Sequence, residues 1–127
     1  MKKRQRIVVT ALLCATFSMV TTVRGNEGLR MQVTPAVSLE PAVLTVRVSV
    51  EPSADNRVLH IVAESQDFFR SSEVQLDGER GAPLNVFEFR NLPTGLYHVT
   101  SVLTGASGRR STAFGLARVE AAVGNRR

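Results

Sequence analysis

The sequence has little that could form a disulfide, bind a metal or fill a large aromatic core. Among its 127 residues it has one cysteine, no tryptophan, one tyrosine and two histidines. The single cysteine, Cys14, lies in an apolar stretch near the start, so no disulfide can stabilise a domain downstream of it. Such a domain must be held together by burial alone, which about 100 residues can achieve with a modest margin.

The two histidines belong to no recognisable catalytic or metal-binding motif. His60 and His98 both lie in stretches that alternate like β-strands. The sequence also lacks a Gly-x-Ser-x-Gly elbow, an Asp-rich calcium loop and a glycine-rich phosphate loop. We therefore predict no catalytic residue, no metal site and no cofactor, and a protein that is not an enzyme.

The net charge of +5 arises in the first 25 residues. Five of the sixteen lysines and arginines lie there without an acidic residue, which leaves eleven basic and eleven acidic side chains after Gly25. Because a domain of balanced charge lacks the electrostatic surface that phosphate binding needs, we expect no binding to nucleic acid.

Residues 1–25 have the layout of a secretory signal peptide. They begin with the positive segment MKKRQR, continue with the uncharged apolar stretch Ile7–Val23, and end at Val23-Arg24-Gly25, where apolar and small residues occupy positions −3 and −1 of a cleavage site. This layout predicts a signal-peptide helix, cleavage after Gly25 and export to the periplasm or the extracellular space. The alternative is an uncleaved membrane anchor, since seventeen apolar residues lie at the lower limit for spanning a bilayer.

Downstream of Gly25, apolar and polar residues alternate in short runs that are separated by turns. Leu44–Val50 places four apolar side chains on one face, as a half-buried strand does. Val58–Val62 is almost continuously apolar, which predicts burial on both faces. Phe87 and Phe89 are predicted to face inward. The predicted strands are Val33–Leu39, Leu44–Val50, Arg57–Glu64, Ser72–Leu76, Leu84–Phe89, Leu96–Leu103 and Ser111–Val119.

Seven short strands with Gly and Pro turns, and no helical period, predict an all-β fold. We expect a seven-stranded antiparallel β-sandwich over residues 26–120, followed by a flexible tail over 121–127. Pro35 is expected in the first strand at a sheet edge, where a missing N–H is tolerated.

The only tyrosine follows directly after a Leu92-Pro-Thr-Gly95 turn. The segment NLPTGLYHVTSVLTGASGRRS resembles the corner, strand and hairpin of fibronectin type III domains, and its Leu-Pro-x-Gly-x-Tyr stretch is similar to that of carboxypeptidase-regulatory-like and other bacterial immunoglobulin-like modules. The resemblance implies an immunoglobulin-like topology and a structural corner formed by Pro93, Gly95 and Tyr97, whose hydroxyl bonds to backbone just upstream. The core tryptophan and the inter-sheet disulfide of such domains are absent.

The polar loop Gln66–Arg70 contains two adjacent phenylalanines, which cannot both point inward on a pleated strand. Exposed aromatic side chains beside an arginine are typical of interfaces, so Phe68, Phe69 and Arg70 are the candidate interface residues. The alternative is that one phenylalanine closes the open end of the sandwich while the other lies along the surface.

Together these patterns favour a small exported β-sandwich that binds or scaffolds an unknown protein or glycan of the cell envelope and has no catalytic site. The alternative is an envelope protein that stays anchored in the inner membrane through Ile7–Val23. An enzyme is the third and least favoured reading, because no ionisable residues cluster in the sequence.

Overall fold

The structure, a computed structural model, describes the backbone of residues 24–25 and all of residues 28–122. The predicted signal-peptide helix and the tail from residue 123 onward lie outside the described residues. The strands are β1 Arg24–Gly25, β2 Leu29–Thr34, β3 Val37–Leu39, β4 Ala42–Val50, β5 Asn56–Glu64, β6 Phe69–Gln75, β7 Leu84–Leu92, β8 Gly95–Gly105 and β9 Arg110–Glu120, with one 3-10 turn at Gly78–Arg80. In this part of the chain, no helix has the length and apolar character needed to cross a membrane.

The strands form two sheets, which confirms the all-β prediction. One sheet has three antiparallel strands in the order β2-β4-β7. The other has the order β1-β9-β8-β5-β6, and β3 lies parallel to β9 on the side that β1 also occupies. We refer to these as the three-stranded and the six-stranded sheet.

The prediction of seven strands, all antiparallel, is wrong in both respects within the described residues. The expected first strand is divided at Pro35 into β2 and β3, which belong to different sheets. Proline has no N–H to donate, so the ladder of β2 ends there and the chain crosses to the six-stranded sheet. It then runs parallel to β9, with Val37 paired to Arg118. Together with the two-residue strand β1, which was not predicted, this division brings the number of strands to nine.

The core lies between the two sheets and consists of alternate residues from their strands. Leu29, Met31 and Val33 project inward from β2, and Phe87 and Phe89 project inward from β7, the latter as predicted. Leu59, Ile61 and Ala63 of β5 are fully buried, whereas Val58 and Val62 are only half-buried. The prediction that β5 is buried on both faces is therefore wrong, because in the described residues no layer covers the outer side of the six-stranded sheet.

Candidate functional site

Tyr97 anchors the turn that joins β7 to β8. Its side chain is fully buried, and its hydroxyl donates a hydrogen bond to the carbonyl oxygen of Pro93 at 2.6 Å. Gly95 has little room for a side chain, since an added Cβ would lie 3.0 Å from the Cβ of Ser65. The corner therefore combines a buried aromatic ring, one satisfied carbonyl and a close backbone approach.

The structure separates Phe69 from the other two candidate interface residues, Phe68 and Arg70. Phe68 packs edge-on against Tyr97, with 5.9 Å between the ring centroids. The guanidinium of Arg70 lies 5.1 Å from the centroid of the Phe68 ring, and its Nη1 donates to the carbonyl oxygen of Arg90 at 3.0 Å. Phe68 and Arg70 thus close the open side between β6 and β7. Phe69 begins β6 instead, points away from the core and is 65% exposed.

Phe69 belongs to a continuous outer face, by which we mean the solvent side of β5, β6, β8 and β9. The strand registers arrange this face in rows. The first row runs Phe69, Glu64, His98, Leu116, and the second runs Ser71, Val62, Thr100, Phe114. The third row is Glu73, His60, Val102, Thr112, and the fourth is Gln75, Val58, Thr104, Arg110.

Phe114 and Leu116 were missed by sequence reasoning, although a signal for them exists. On β9 the large residues point outward, with Phe114 64% and Leu116 53% exposed, while Ala113 and Ala117 point inward. The cause is the close approach of β2: a Cβ added at Gly115 would lie only 2.8 Å from Cγ2 of Val33. The run Ala-Phe-Gly-Leu-Ala has small residues at alternate positions. This pattern is the signal that the small residues of this run face the core and the large ones face solvent.

The two histidines both lie on the outer face but are too far apart to share a ligand. His98 is directly opposite Glu64, and His60 is four residues away along β5 from that position. At about 3.3 Å per residue, the two histidines are roughly 13 Å apart. Within the described residues no group of three or more His, Cys, Asp or Glu side chains is placed to hold a metal ion. Cys14 lies outside the described residues.

A polar cavity of about 430 Å³ opens at the end of the molecule opposite Tyr97. Asp55 forms part of its wall, and its carboxylate accepts hydrogen bonds from the Ser107 backbone N–H at 2.9 Å and the Ser107 hydroxyl at 2.8 Å. These bonds, the one from the hydroxyl first, hold the pKa of Asp55 below its usual value. Asn56 donates from Nδ2 to the carbonyl oxygen of Glu51 at 2.9 Å. The polar groups of the wall thus fasten the β8–β9 hairpin to the start of β5.

No protein-family model matches the sequence, and no curated protein matches it either. Solved structures do resemble the chain. A superoxide reductase (neelaredoxin) from Ignicoccus hospitalis superposes with a TM-score of 0.60 and 14% identity over 76% of this chain and 82% of that one. A single-site variant of that protein superposes with a TM-score of 0.57 and 15% identity, over 71% and 79%. The PmoD soluble domain from Methylocystis sp. ATCC 49242 (Rockwell) gives 0.52 and 13%, over 77% and 96%.

These likenesses overturn one prediction from the sequence. We expected a binding or scaffolding module without a catalytic site, or a membrane-anchored form of it. That prediction is wrong, because a superoxide reductase from Ignicoccus hospitalis, a redox enzyme by name, shares this fold. At 14–16% identity the likeness extends to the fold and assigns no role to any residue. The chain shares its fold with the Ignicoccus hospitalis superoxide reductase and with the PmoD soluble domain.

Proposed function

We propose that the protein takes part in the chemistry of reduced oxygen species, the chemistry for which the structures that share its fold are named. The observation that supports the proposal is the extent of the likeness, which includes 82% of the Ignicoccus hospitalis chain. This share is large enough to include both sheets rather than one hairpin. The residues that could serve such chemistry have to be argued from this chain alone.

One-electron chemistry of oxygen species is carried out in proteins by a bound metal or an organic cofactor. The donors in residues 28–122 do not fit a metal centre built by one chain, because no three of them come together. His98 and Glu64 offer one imidazole and one carboxylate from neighbouring strands, which are ligand types that iron accepts. Two donors are fewer than such a centre uses, so we assign no catalytic step to any residue.

The experiment that tests the proposal measures metal retention and superoxide decay separately. The purified chain is incubated with Fe²⁺ or Cu²⁺ and desalted, its metal content is measured, and superoxide decay is followed by stopped-flow absorbance. We expect the protein to accelerate superoxide decay, and the metal content measured beside it shows whether the acceleration needs a bound ion. A chain that retains neither metal and leaves the decay rate unchanged would contradict the proposal.

We also propose an immunoglobulin-like topology for the two sheets. Assigning β2, β4, β5, β7, β8 and β9 to strands A, B, C, E, F and G puts A, B and E in one sheet and C, F and G in the other, as in immunoglobulin domains. Under this assignment the buried Tyr97, whose hydroxyl bonds to the Pro93 carbonyl oxygen, would lie near the start of strand F, where such domains have their tyrosine corner. Both observations support this assignment.

Export with cleavage after Gly25 remains our proposal for the location of the protein. Its support is the basic start, the apolar stretch Ile7–Val23 and the small residue at Gly25. Cleavage at that point would also remove β1, which pairs with β9 through Arg24 and Gly25. Edman sequencing of the exported protein is expected to begin at Asn26. An intact Met1 in the membrane fraction would contradict cleavage.

A further inference from the structure

The exposed apolar side chains of this protein are concentrated on one surface. Of the nine large apolar side chains exposed in residues 28–122, six lie on the outer face or on its margin at β3 and the start of β8. They are Val37, Leu39, Phe69, Leu96, Phe114 and Leu116. Phe69 and Phe114, each nearly two-thirds exposed, alone contribute on the order of 250 Å². Aromatic side chains are enriched at protein interfaces relative to the rest of the surface.

The apolar residues of the outer face lie at its two sides, not in its middle. In the first row Phe69 lies on β6 and Leu116 on β9, with Glu64 and His98 between them. In the second row Phe114 again lies on β9. The first row thus reads apolar, acidic, imidazole, apolar, and its first half is chemically complementary to its second half.

The charges of the outer face divide in the same way. The carboxylates of Glu64 and Glu73 lie on β5 and β6, whereas β9 carries Arg110 and Arg118, with Glu120 at its end. Neither carboxylate forms an ion pair within the described residues. The one ion pair found there joins Arg90 to Glu88, with 2.8 Å between nitrogen and oxygen. One half of the face is therefore acidic, and the opposite half carries a net positive charge.

We propose that the outer face is the interface of a homodimer whose two-fold axis runs parallel to the strands, between β5 and β8. A two-fold interface applies the same patch to itself, so it requires a self-complementary surface. This axis places β5 over the partner's β8 and β6 over the partner's β9. Phe69 then meets the partner's Leu116, and Glu64 meets the partner's His98. Two stacked sheets with strands nearly aligned are a common packing geometry.

The alternative two-fold axis, perpendicular to the strands, is chemically unfavourable. It would stack β5 on β5 and β9 on β9 with the order of the rows reversed. Glu64 would then lie against the partner's Val58, and Leu116 against the partner's Arg110. Burying a charge against an apolar side chain costs free energy that no contact recovers. The arrangement of residues therefore selects the axis as well as the surface.

The size of the face sets the strength of association. Four strands about 4.8 Å apart, each contributing some seven residues at about 3.3 Å, make a face of roughly 450 Å² in projection. Stable interfaces bury about 800 Å² of accessible surface on each partner, so this dimer belongs to the weak class that forms with rising concentration.

The test is analytical ultracentrifugation of the purified full chain between 1 µM and 1 mM. We expect a reversible monomer–dimer equilibrium. Phe114→Ser should raise the dissociation constant at least tenfold, whereas Val86→Ser should change it by less than twofold. Val86 is the matched control because it is 53% exposed on the outer side of the three-stranded sheet. A chain that is monomeric throughout, or a dimer that Phe114→Ser leaves intact, would overturn the proposal.

A mixing experiment tests the axis. The Glu64→Lys chain should dimerise poorly with itself, and so should the His98→Glu chain, which would set Glu64 against a second carboxylate. Mixed together, they should form a heterodimer, because lysine then meets glutamate at one contact and His98 meets Glu64 at the other. Effects confined to one chain cannot restore association in a mixture, so a mixture that stays monomeric would refute this axis.

Discussion

Replacing Tyr97 with phenylalanine removes one hydroxyl group and leaves the rest of the core in place. The ring remains buried against Phe68, so the change removes the 2.6 Å hydrogen bond to the Pro93 carbonyl oxygen and little else. Leaving a buried acceptor unpaired costs about 1–3 kcal/mol. Because Pro93 is an exposed residue and water can reach part of the corner, we expect a loss of about 1–2 kcal/mol in the free energy of unfolding.

The assay is urea denaturation followed by far-UV circular dichroism, since the chain has no tryptophan and Tyr97 is its only tyrosine. The matched control is Thr94→Val, which also removes one hydroxyl from this corner. The Thr94 hydroxyl donates to Glu40 at 2.7 Å, but both groups are exposed, and we expect a change within about 0.5 kcal/mol. If Tyr97→Phe is as mild as Thr94→Val, burial is not what makes the corner stabilising, and the reasoning is refuted.

Four further substitutions can be measured by the same titration. Phe68→Ala should lower the free energy of unfolding by about 2–3 kcal/mol, because Phe68 is half-buried against Tyr97. Phe69→Ala should change it by no more than about 0.5 kcal/mol, because Phe69 is exposed. A larger loss for Phe69→Ala than for Phe68→Ala would contradict the placement of the two side chains. Ser101→Ala should stabilise the protein by about 1 kcal/mol, since the buried Ser101 hydroxyl has no hydrogen-bond partner, and a loss would show that it has one. The pKa of Asp55 is lowered in the folded state, chiefly by the Ser107 hydroxyl, so its contribution is present above the unfolded pKa and is lost as the pH falls through the folded one. Ser107→Ala should therefore make the urea midpoint less sensitive to pH below about 4, and an unchanged pH profile would argue against this bond.

The strands were predictable where one face is buried and the other is wet. Leu44–Val50 alternates strictly, and the structure places it in β4 with Leu44, Val46, Val48 and Val50 in the core. The division at Pro35 was not predictable from alternation, because Val33 and Val37 have the same parity although they belong to different sheets. Hydrophobic periodicity reports the direction in which a side chain points but not which sheet its strand joins.

The outer face was harder to predict than the strands that form it. Phe69 was singled out by its position beside Phe68, but its neighbours in the row come from β5, β8 and β9. Their proximity depends on strand order, which the sequence does not display. On β9 the usual assumption that large apolar residues point inward fails, because Val33 occupies the space that a side chain at position 115 would need.

The position of β9 has a consequence for biosynthesis. It is the last strand of the described residues, yet it lies inside the six-stranded sheet, between β8 on one side and β1 and β3 on the other. A growing chain therefore cannot pair β1 or β3 with β9 until nearly all of the domain has been synthesised. Such non-local pairing slows folding and lengthens the interval in which strand edges are open to aggregation. We expect the six-stranded sheet to be completed only after β9 has been synthesised.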